Sequence, residues 1–352
     1  MKKRTPLTSP SQFIGIEKQG LISFGAGQPD LPPPQEVMES LKKINCEYKY
    51  GMIQGDLSLR QKVASLHSAQ EEDVIITNGA SEALFLALSV SIKPGDKVLL
   101  TRPYYYSYPW MVKLCHGQPI YTDLIEGQVD LDDFREKFSD AQVAILNTPA
   151  NPTGSVLKPE TVKSIEDLCN TQKKIVIFDE VYESLIYKGE HYSPRSPYVV
   201  NINSFSKTFS MCGFRVGYAY SENGIIRDMV DHKTHSSMNT SRIAQQMALI
   251  ALDTPVRFAQ ERLSVWKERR DYIYKRLTDM DLDVWSPDGA FYIFPKVDDA
   301  SEAVEDLFYD HDVVTYKGEW FGMPERMRLS YALDIEKIVE GMDRLERYLK
   351  SR

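Results

Sequence analysis

Long apolar runs are missing from this chain of 352 residues. None approaches the ~20 residues that a helix needs to cross a bilayer, so no membrane span is expected. Cysteine is scarce. Cys46, Cys115, Cys169 and Cys212 are scattered and form no C-x-x-C. A disulfide framework or a zinc site is therefore not expected, and reducing cytosol is the default setting. Histidine is also thin, with six in the chain. His232 and His235 are the closest pair, and no nearby carboxylate or cysteine completes a site, so no metal is expected. A basic excess is absent too: 42 Lys and Arg face 50 Asp and Glu, for a net charge of −8. That balance argues against nucleic acid or an anionic membrane as main partner, while leaving room for a local basic pocket. The opening "MKKRTPLTSPSQFIGIEKQG" has a basic tip but lacks the apolar core of a signal peptide. No internal repeat or low-complexity stretch stands out.

What is present is a large apolar fraction, 42%, arranged in a recurring pattern. Short runs dense in Val, Ile and Leu end in polar or glycine-rich turns, and amphipathic helical segments follow. "EDVIITNGA" leads to "SEALFLALSVSI", and "AQVAILNTPANPTG" leads to "KPETVKSIEDLCN". "DKVLLTRP", "KKIVIFDEVY" and "VVNINSFSK" are further runs of this kind. Such alternation predicts an α/β fold whose mainly parallel sheet is covered on both faces. Ligands of such sheets bind beyond the carboxyl ends of the strands. After about residue 245 the character changes. "RFAQERLSVWKERRDYIYKRLTDM" reads as one long amphipathic helix. "GAFYIFPKV" and "RMRLSYAL" read as strands, and "DIEKIVEGMDRLERYL" as a closing helix. The expected division is a large domain over 43–245 and a smaller α+β domain over 246–352. The proline-rich segment 1–42 is expected to join the smaller one.

Five groups of residues sit at the expected strand ends. Lys207, in "SFSKTFSMCGFR", follows an apolar run, lies between Ser206 and Thr208, and precedes Arg215 by eight positions. A surface loop would hold a lysine as well, but an amine nucleophile needs a desolvated or cationic setting of this kind. Asp179 closes the run "KKIVIF". A carboxylate there is costly unless something positive meets it, although a helix cap is the plainer use. Asn151 lies in "NTPANPTG", whose Asn-Pro and Gly are also ordinary turn chemistry. "TNGASEAL" puts Gly79, Ala80 and Ser81 between a strand and a helix, where free N–H groups and the helix dipole suit a phosphate. "RPYYYSYPW" places tyrosines on a turn, where one could stack on a flat ring or simply fill the core. One ligand would use all of these groups. It has a phosphate, an aromatic ring, a ring nitrogen seeking a carboxylate and an aldehyde seeking an amine. Pyridoxal phosphate fits that description.

With these motifs in this order, the sequence resembles the class I/II aminotransferases, the fold-type I pyridoxal-phosphate enzymes. The likeness also takes in "GAGQPD" (25–30), "YKYGMIQGDLSLR" (48–60), "FDEVYESL" (178–185), "DGAFYIF" (288–294) and "RMRLSYA" (326–332). The resemblance implies a seven-stranded, mainly parallel sheet between helices in the large domain. It also implies roles. Lys207 would bind the cofactor aldehyde and then carry the proton between the substrate Cα and the cofactor. Asp179 would keep the ring nitrogen protonated, and Asn151 and Tyr182 would bond the ring oxygen. Tyr105 would stack on the ring, with Tyr104 and Tyr106 as the neighbouring registers. Ala80, Ser81, Ser204 and Arg215 would hold the phosphate, with Ser206 as an extra donor. Arg328 would grip the substrate α-carboxylate with its planar fork, and Gly27 would let backbone approach it. Tyr50 would reach the cofactor phosphate of a second subunit, making a homodimer with shared sites. Two departures stand out. Trp320, in "YKGEWFG", is bulky for its place beside the substrate, and the chain is short for the family.

The expected activity is transfer of an amino group from an L-amino acid to a 2-oxo acid by a ping-pong route. A C–S β-lyase or another lyase or decarboxylase uses the same scaffold and is the alternative, because fold does not fix reaction. A cofactor-holding sensor without turnover is a third reading. The absence of an attached DNA-binding segment and the intact set Lys207, Asp179 and Arg328 both count against it.

Overall fold

The computed structural model describes residues 4–16, 18–44 and 48–352; Cys46 lies outside them. A short 3-10 turn, Pro10–Phe13, precedes strand β1 (Ile22–Ser23). The main sheet then takes β2 (Val74–Thr77), β3 (Lys97–Arg102), β4 (Gln118–Ile125) and β5 (Gln128–Val129). It is completed by β6 (Val143–Asn147), β7 (Ile175–Asp179), β8 (Val199–Ser204) and β9 (Gly217–Tyr220). The order is β2-β9-β8-β7-β6-β3-β4-β5. The pairs from β4 through β3, β6 and β7 to β8 are parallel, while β9 runs antiparallel to both β8 and β2. These are the seven strands expected, with the two-residue β5 added by an antiparallel turn-back onto β4.

Every residue of "VIIT", "VAILN" and "VVNINS" is buried. Strands of this composition, covered on both faces, have no polar side to show to water. Helix Ala80–Ser91 packs on one face with Ile75, Ile145, Ile177 and Ile202. Helices Leu131–Asp140 and Pro159–Gln172 pack on the other, against Leu99, Ala144, Leu146 and Val176. The aromatic turn differs from the expectation in part. From Tyr108 it is already helix (Tyr108–Leu114), started by Pro109 in the first turn, where proline costs no hydrogen bond.

Strands β10 (Tyr292–Ile293), β11 (Val313–Val314), β12 (Tyr316–Lys317) and β13 (Met327–Ser330) build the smaller sheets. One is antiparallel, β10-β13-β12, and the other pairs β11 with β1 in parallel. Helix Arg257–Asp279 is the long amphipathic helix of the sequence reading. Helix Ile335–Lys350 buries Ile338, Gly341, Met342, Leu345 and Tyr348, a one-faced spacing. Gly341 allows that contact, since a Cβ there would lie 2.4 Å from the Phe24 ring. Asp30 anchors the N-terminal segment to the long helix through Arg269 at 2.9 Å and Trp266 at 3.2 Å.

Candidate active site

The carboxyl ends of β6, β7 and β8 lie side by side, with Asn147 opposite Asp179 and Asp179 opposite Ile202. Asp179 is buried there. Its Oδ2 accepts from the Tyr108 hydroxyl at 2.6 Å and its Oδ1 from the Val181 N–H at 3.3 Å. No cation pairs with it among the described residues. Burial therefore raises its pKa from the ordinary 3.8 to about 6, against the pull of those two donors. Asn147 braces the neighbouring loop. Its amide donates to the Asp179 carbonyl at 2.9 Å, and its oxygen accepts the Asn151 N–H at 2.8 Å.

Beyond β8 the chain makes one helical turn, Phe205–Thr208, capped by the Ser204 hydroxyl, which accepts the Ser206 N–H at 3.1 Å. Lys207 stands on that turn. Its Nζ donates to the Gly27 carbonyl and lies 5.7 Å from the Tyr182 ring centre. Burial lowers its pKa. The charges of Arg328 and Arg215 act the same way, while Cys212 and Asp179 oppose. The amine is thus brought toward the neutral state that nucleophilic attack and proton transfer require.

At the other end of the cavity, Gly79 caps helix Ala80–Ser91 with φ +80°. A Cβ on Gly79 would lie 2.5 Å from Arg215 Nη2, and one on Gly217 would lie 2.7 Å from the Ala80 nitrogen. Both glycines keep the guanidinium and the helix N-terminus in one cradle. Arg215, held at φ 54°, donates only to the carbonyls of Asn78 and Cys212, at 3.3 and 3.1 Å. It has no carboxylate partner among the described residues. The Ser204 and Ser206 hydroxyls lie 2.9 Å apart beside it.

Arg328, on β13, is 1% exposed. Nη1 donates to Asn151 Oδ1 at 3.1 Å and Nη2 to the Gly25 carbonyl at 2.6 Å, while Nε has no partner. Its guanidinium carbon lies 4.4 Å from the Tyr316 ring centre and 4.6 Å from that of Tyr292. Among the described residues this buried cation faces only neutral acceptors and ring faces, so its charge is left without a counter-ion. The Tyr182 and Tyr292 hydroxyls are 2.8 Å apart, and burial pushes both above the ordinary tyrosine range.

These side chains, with Gly27, Ala80, Ser81 and Tyr105, line one cavity of about 670 Å³. Tyr106 lines it as well, whereas Tyr104 turns away onto Tyr121, ring centres 5.4 Å apart. Tyr50, which the resemblance also assigns to the site, lies outside the cavity. It is 79% exposed on the surface. Trp320 stands behind the wall, edge-on to Tyr316 at 5.6 Å. Sequence reasoning gave no site role to Tyr108, Asn147, Tyr292 and Tyr316. Tyr108 and Asn147 lie inside motifs that were read, "RPYYYSYPW" and "NTPANPTG", but only the register of the fold shows which atoms face Asp179.

A second cavity, about 380 Å³, lies on the opposite face of β8 and β9 from helix Ala80–Ser91. His67 and Glu183 line it, and their ligand atoms and those of Glu180 come within 4.8 Å of one another, a grouping that the sequence spacing did not suggest. Glu180 is already bonded by Tyr220, Ser193 and His191 at 2.9, 2.6 and 2.8 Å.

Residues 19–345 match the family described as aminotransferase class I and II. An aspartate aminotransferase of Geobacillus stearothermophilus is 29% identical over 100% of this chain and 99% of its own. The structure of an aspartate aminotransferase from Thermus thermophilus with maleate superposes with a TM-score of 0.90 at 30% identity, covering 94% of this chain and 92% of that one. An aromatic aminotransferase from Pyrococcus horikoshii OT3 superposes at 0.88 and 32% identity, covering 98% and 99%. The chain belongs to the class I and II aminotransferases. This aminotransferase has the fold-type I architecture of its family, and the comparisons favour amino-group transfer over the lyase alternative. No helix among the described residues is long and apolar enough to cross a membrane.

Proposed function

We propose that this aminotransferase uses pyridoxal 5′-phosphate to move an amino group from an L-amino acid to a 2-oxo acid, releasing the first product before the second substrate binds. One observation carries the reading. The Lys207 amine, the Asp179 carboxyl, and the Arg215 and Arg328 guanidinium groups all line one cavity, and none has an oppositely charged partner at bonding distance among the described residues. The donor set supports the cofactor. It offers a cradle for a dianion, a carboxylate for a ring nitrogen, a tyrosine face and an amine with lowered pKa. When bound, pyridoxal phosphate supplies an aldehyde that accepts the amino group and a ring that draws electrons from the substrate Cα.

The chain's own residues do the rest. Asp179, once ionised, holds a proton on the ring nitrogen. Tyr105 covers the ring face. Asn151 and Tyr182 direct donors at the ring oxygen; a hydroxyl both donates and accepts, so Tyr292 can donate to Tyr182 and leave the Tyr182 proton free. Ala80, Ser81, Ser204 and Arg215 hold the phosphate. Arg328 grips the α-carboxylate, and the Gly27 backbone lies beside it. Lys207, whose amine stands in the cavity, would take the Cα proton and return it on the cofactor side.

The same reading extends to assembly. Segments 1–42 and 246–352 form one domain and 43–245 the other. Two cytoplasmic copies form a two-fold dimer in which Tyr50 donates to the cofactor phosphate of the second site. What supports the dimer is exposure: Tyr48, Tyr50 and Met52 are 95%, 79% and 55% exposed, more apolar surface than one short loop normally shows to water. The test of function is transfer of ¹⁵N from a labelled amino acid to an unlabelled 2-oxo acid by purified protein loaded with cofactor. Label in the new amino acid is expected; release of ammonia without it would identify a lyase.

A further inference from the structure

We infer that the side chain of the amino donor is large and apolar, and that the acidic amino acids are poor donors. The inference rests on the aminotransferase reading above and concerns the part of the cavity that the cofactor and the α-carboxylate leave over. Among the described residues the cavity's cations are Lys207, Arg215 and Arg328. All three are committed to the amine, the phosphate and the α-carboxylate. The cations nearest the rim in sequence already have acids of their own. Lys18 pairs with Asp312, Arg4 with Asp306 and Asp310, Lys317 with Glu305 at 2.7 Å, and Arg102 with Asp123. This chain's own described residues thus offer no counter-charge to a second carboxylate on the substrate.

What lines the space instead is aromatic. Phe13 stacks on Tyr316 with ring centres 5.6 Å apart and planes at 18°. Phe308 meets Phe13 edge-on at 5.1 Å, and Trp320 backs both Phe13 and Tyr316 at 6.3 and 5.6 Å. Tyr106 closes the wall from the large sheet's side, edge-on to Phe321 at 5.9 Å. Tyr316 is also the ring over Arg328, so the wall begins where the α-carboxylate ends. Ile14 completes the rim, 77% exposed. Trp320 thus shapes the pocket at one remove, by holding Phe13 and Tyr316 in place. A wall of rings gains from burying an aromatic or long aliphatic side chain and penalises a desolvated carboxylate.

The experiment compares kcat/KM for L-phenylalanine, L-leucine, L-aspartate and L-glutamate with the loaded enzyme, using pyruvate as acceptor so that no second carboxylate enters with it. Binding of the unreactive 3-phenylpropionate and succinate to the same enzyme is measured by calorimetry. The expected result is a preference for phenylalanine over aspartate on the order of 100-fold, the effect of a buried charge left unpaired. 3-Phenylpropionate should bind more tightly than succinate. Phe13→Ala should lower kcat/KM for phenylalanine about 10-fold, the scale of lost apolar contact in a substrate pocket, and by clearly more than for L-alanine. A preference for aspartate and succinate, with transfer intact, would overturn the inference but not the aminotransferase reading. An equal effect of Phe13→Ala on phenylalanine and alanine would likewise overturn it. Absence of transfer from every donor would bring down the aminotransferase reading, and the inference with it.

Discussion

The Tyr108 hydroxyl donates to Asp179 Oδ2 at 2.6 Å inside the cavity, where no cation pairs with that carboxylate among the described residues. This bond opposes the effect of burial and keeps Asp179 ionisable near neutral pH. Tyr108→Phe removes it and raises the Asp179 pKa above about 6. If cofactor affinity depends on the ionised carboxylate, as proposed, the acid limb of a plot of cofactor affinity against pH should move upward in the variant. An unmoved limb would mean that another group sets it.

Asp179 also carries a stability cost in the protein without a ligand. In the unfolded chain its pKa is near 3.8; in the folded, cofactor-free protein burial holds it at about 6. The folded state binds this proton more tightly. Its contribution is therefore neutral in acid below about pH 4, and stability falls as pH rises through that interval, by about 3 kcal/mol once pH exceeds 6. Asp179→Asn should thus stabilise the cofactor-free protein at pH 7.5, have little effect at pH 4, and abolish transfer. Thermal unfolding of both proteins at the two pH values checks this; equal melting differences at both would refute it.

Arg328→Lys keeps the charge but loses the fork. Hydrogen bonds to charged groups contribute about 1.5–3 kcal/mol, so amino-acid affinity should fall about 10- to 100-fold while cofactor binding holds. Titration with a non-reacting carboxylate gives the first quantity and equilibrium dialysis the second.

Tyr50→Phe should release cofactor more readily without stopping chemistry. Mixing it with Lys207→Ala gives heterodimers in which one site carries both lesions and the other neither. Recovery of tight-binding, active sites on mixing is the expected outcome, and an active monomer in sedimentation would exclude the shared site.

Much of the sheet was legible because its strands carry their own signal. "VIIT", "VAILN" and "VVNINS" are β-branched and fully buried, and each ends at a turn that holds a polar group. Lys207, Asp179, Asn151 and Arg215 stood out because such groups at the ends of buried strands need a reason. The aromatic wall did not. Phe13 and Tyr316 are about 300 positions apart, and each reads alone as an ordinary core residue. Their stacking depends on how the N-terminal turn returns to β12, a long-range relation with no local pattern. Trp320 was visible as an oddity, but its place behind Tyr316, not against the ligand, is set by the turn Gly318–Phe321. Glu180 and Glu183 follow Asp179 closely in sequence, yet the strand end puts them with His67 and out of the active-site cavity.

The central claim is that Lys207 is the residue joined to the cofactor. Loading the protein with pyridoxal phosphate, reducing it with borohydride and mapping the modified peptide tests this directly. The account predicts absorbance in the visible before reduction and a single modified lysine, Lys207, within "SFSKTFSMCGFR" afterwards. Modification of another lysine, or cofactor that dialyses away after reduction, would contradict it.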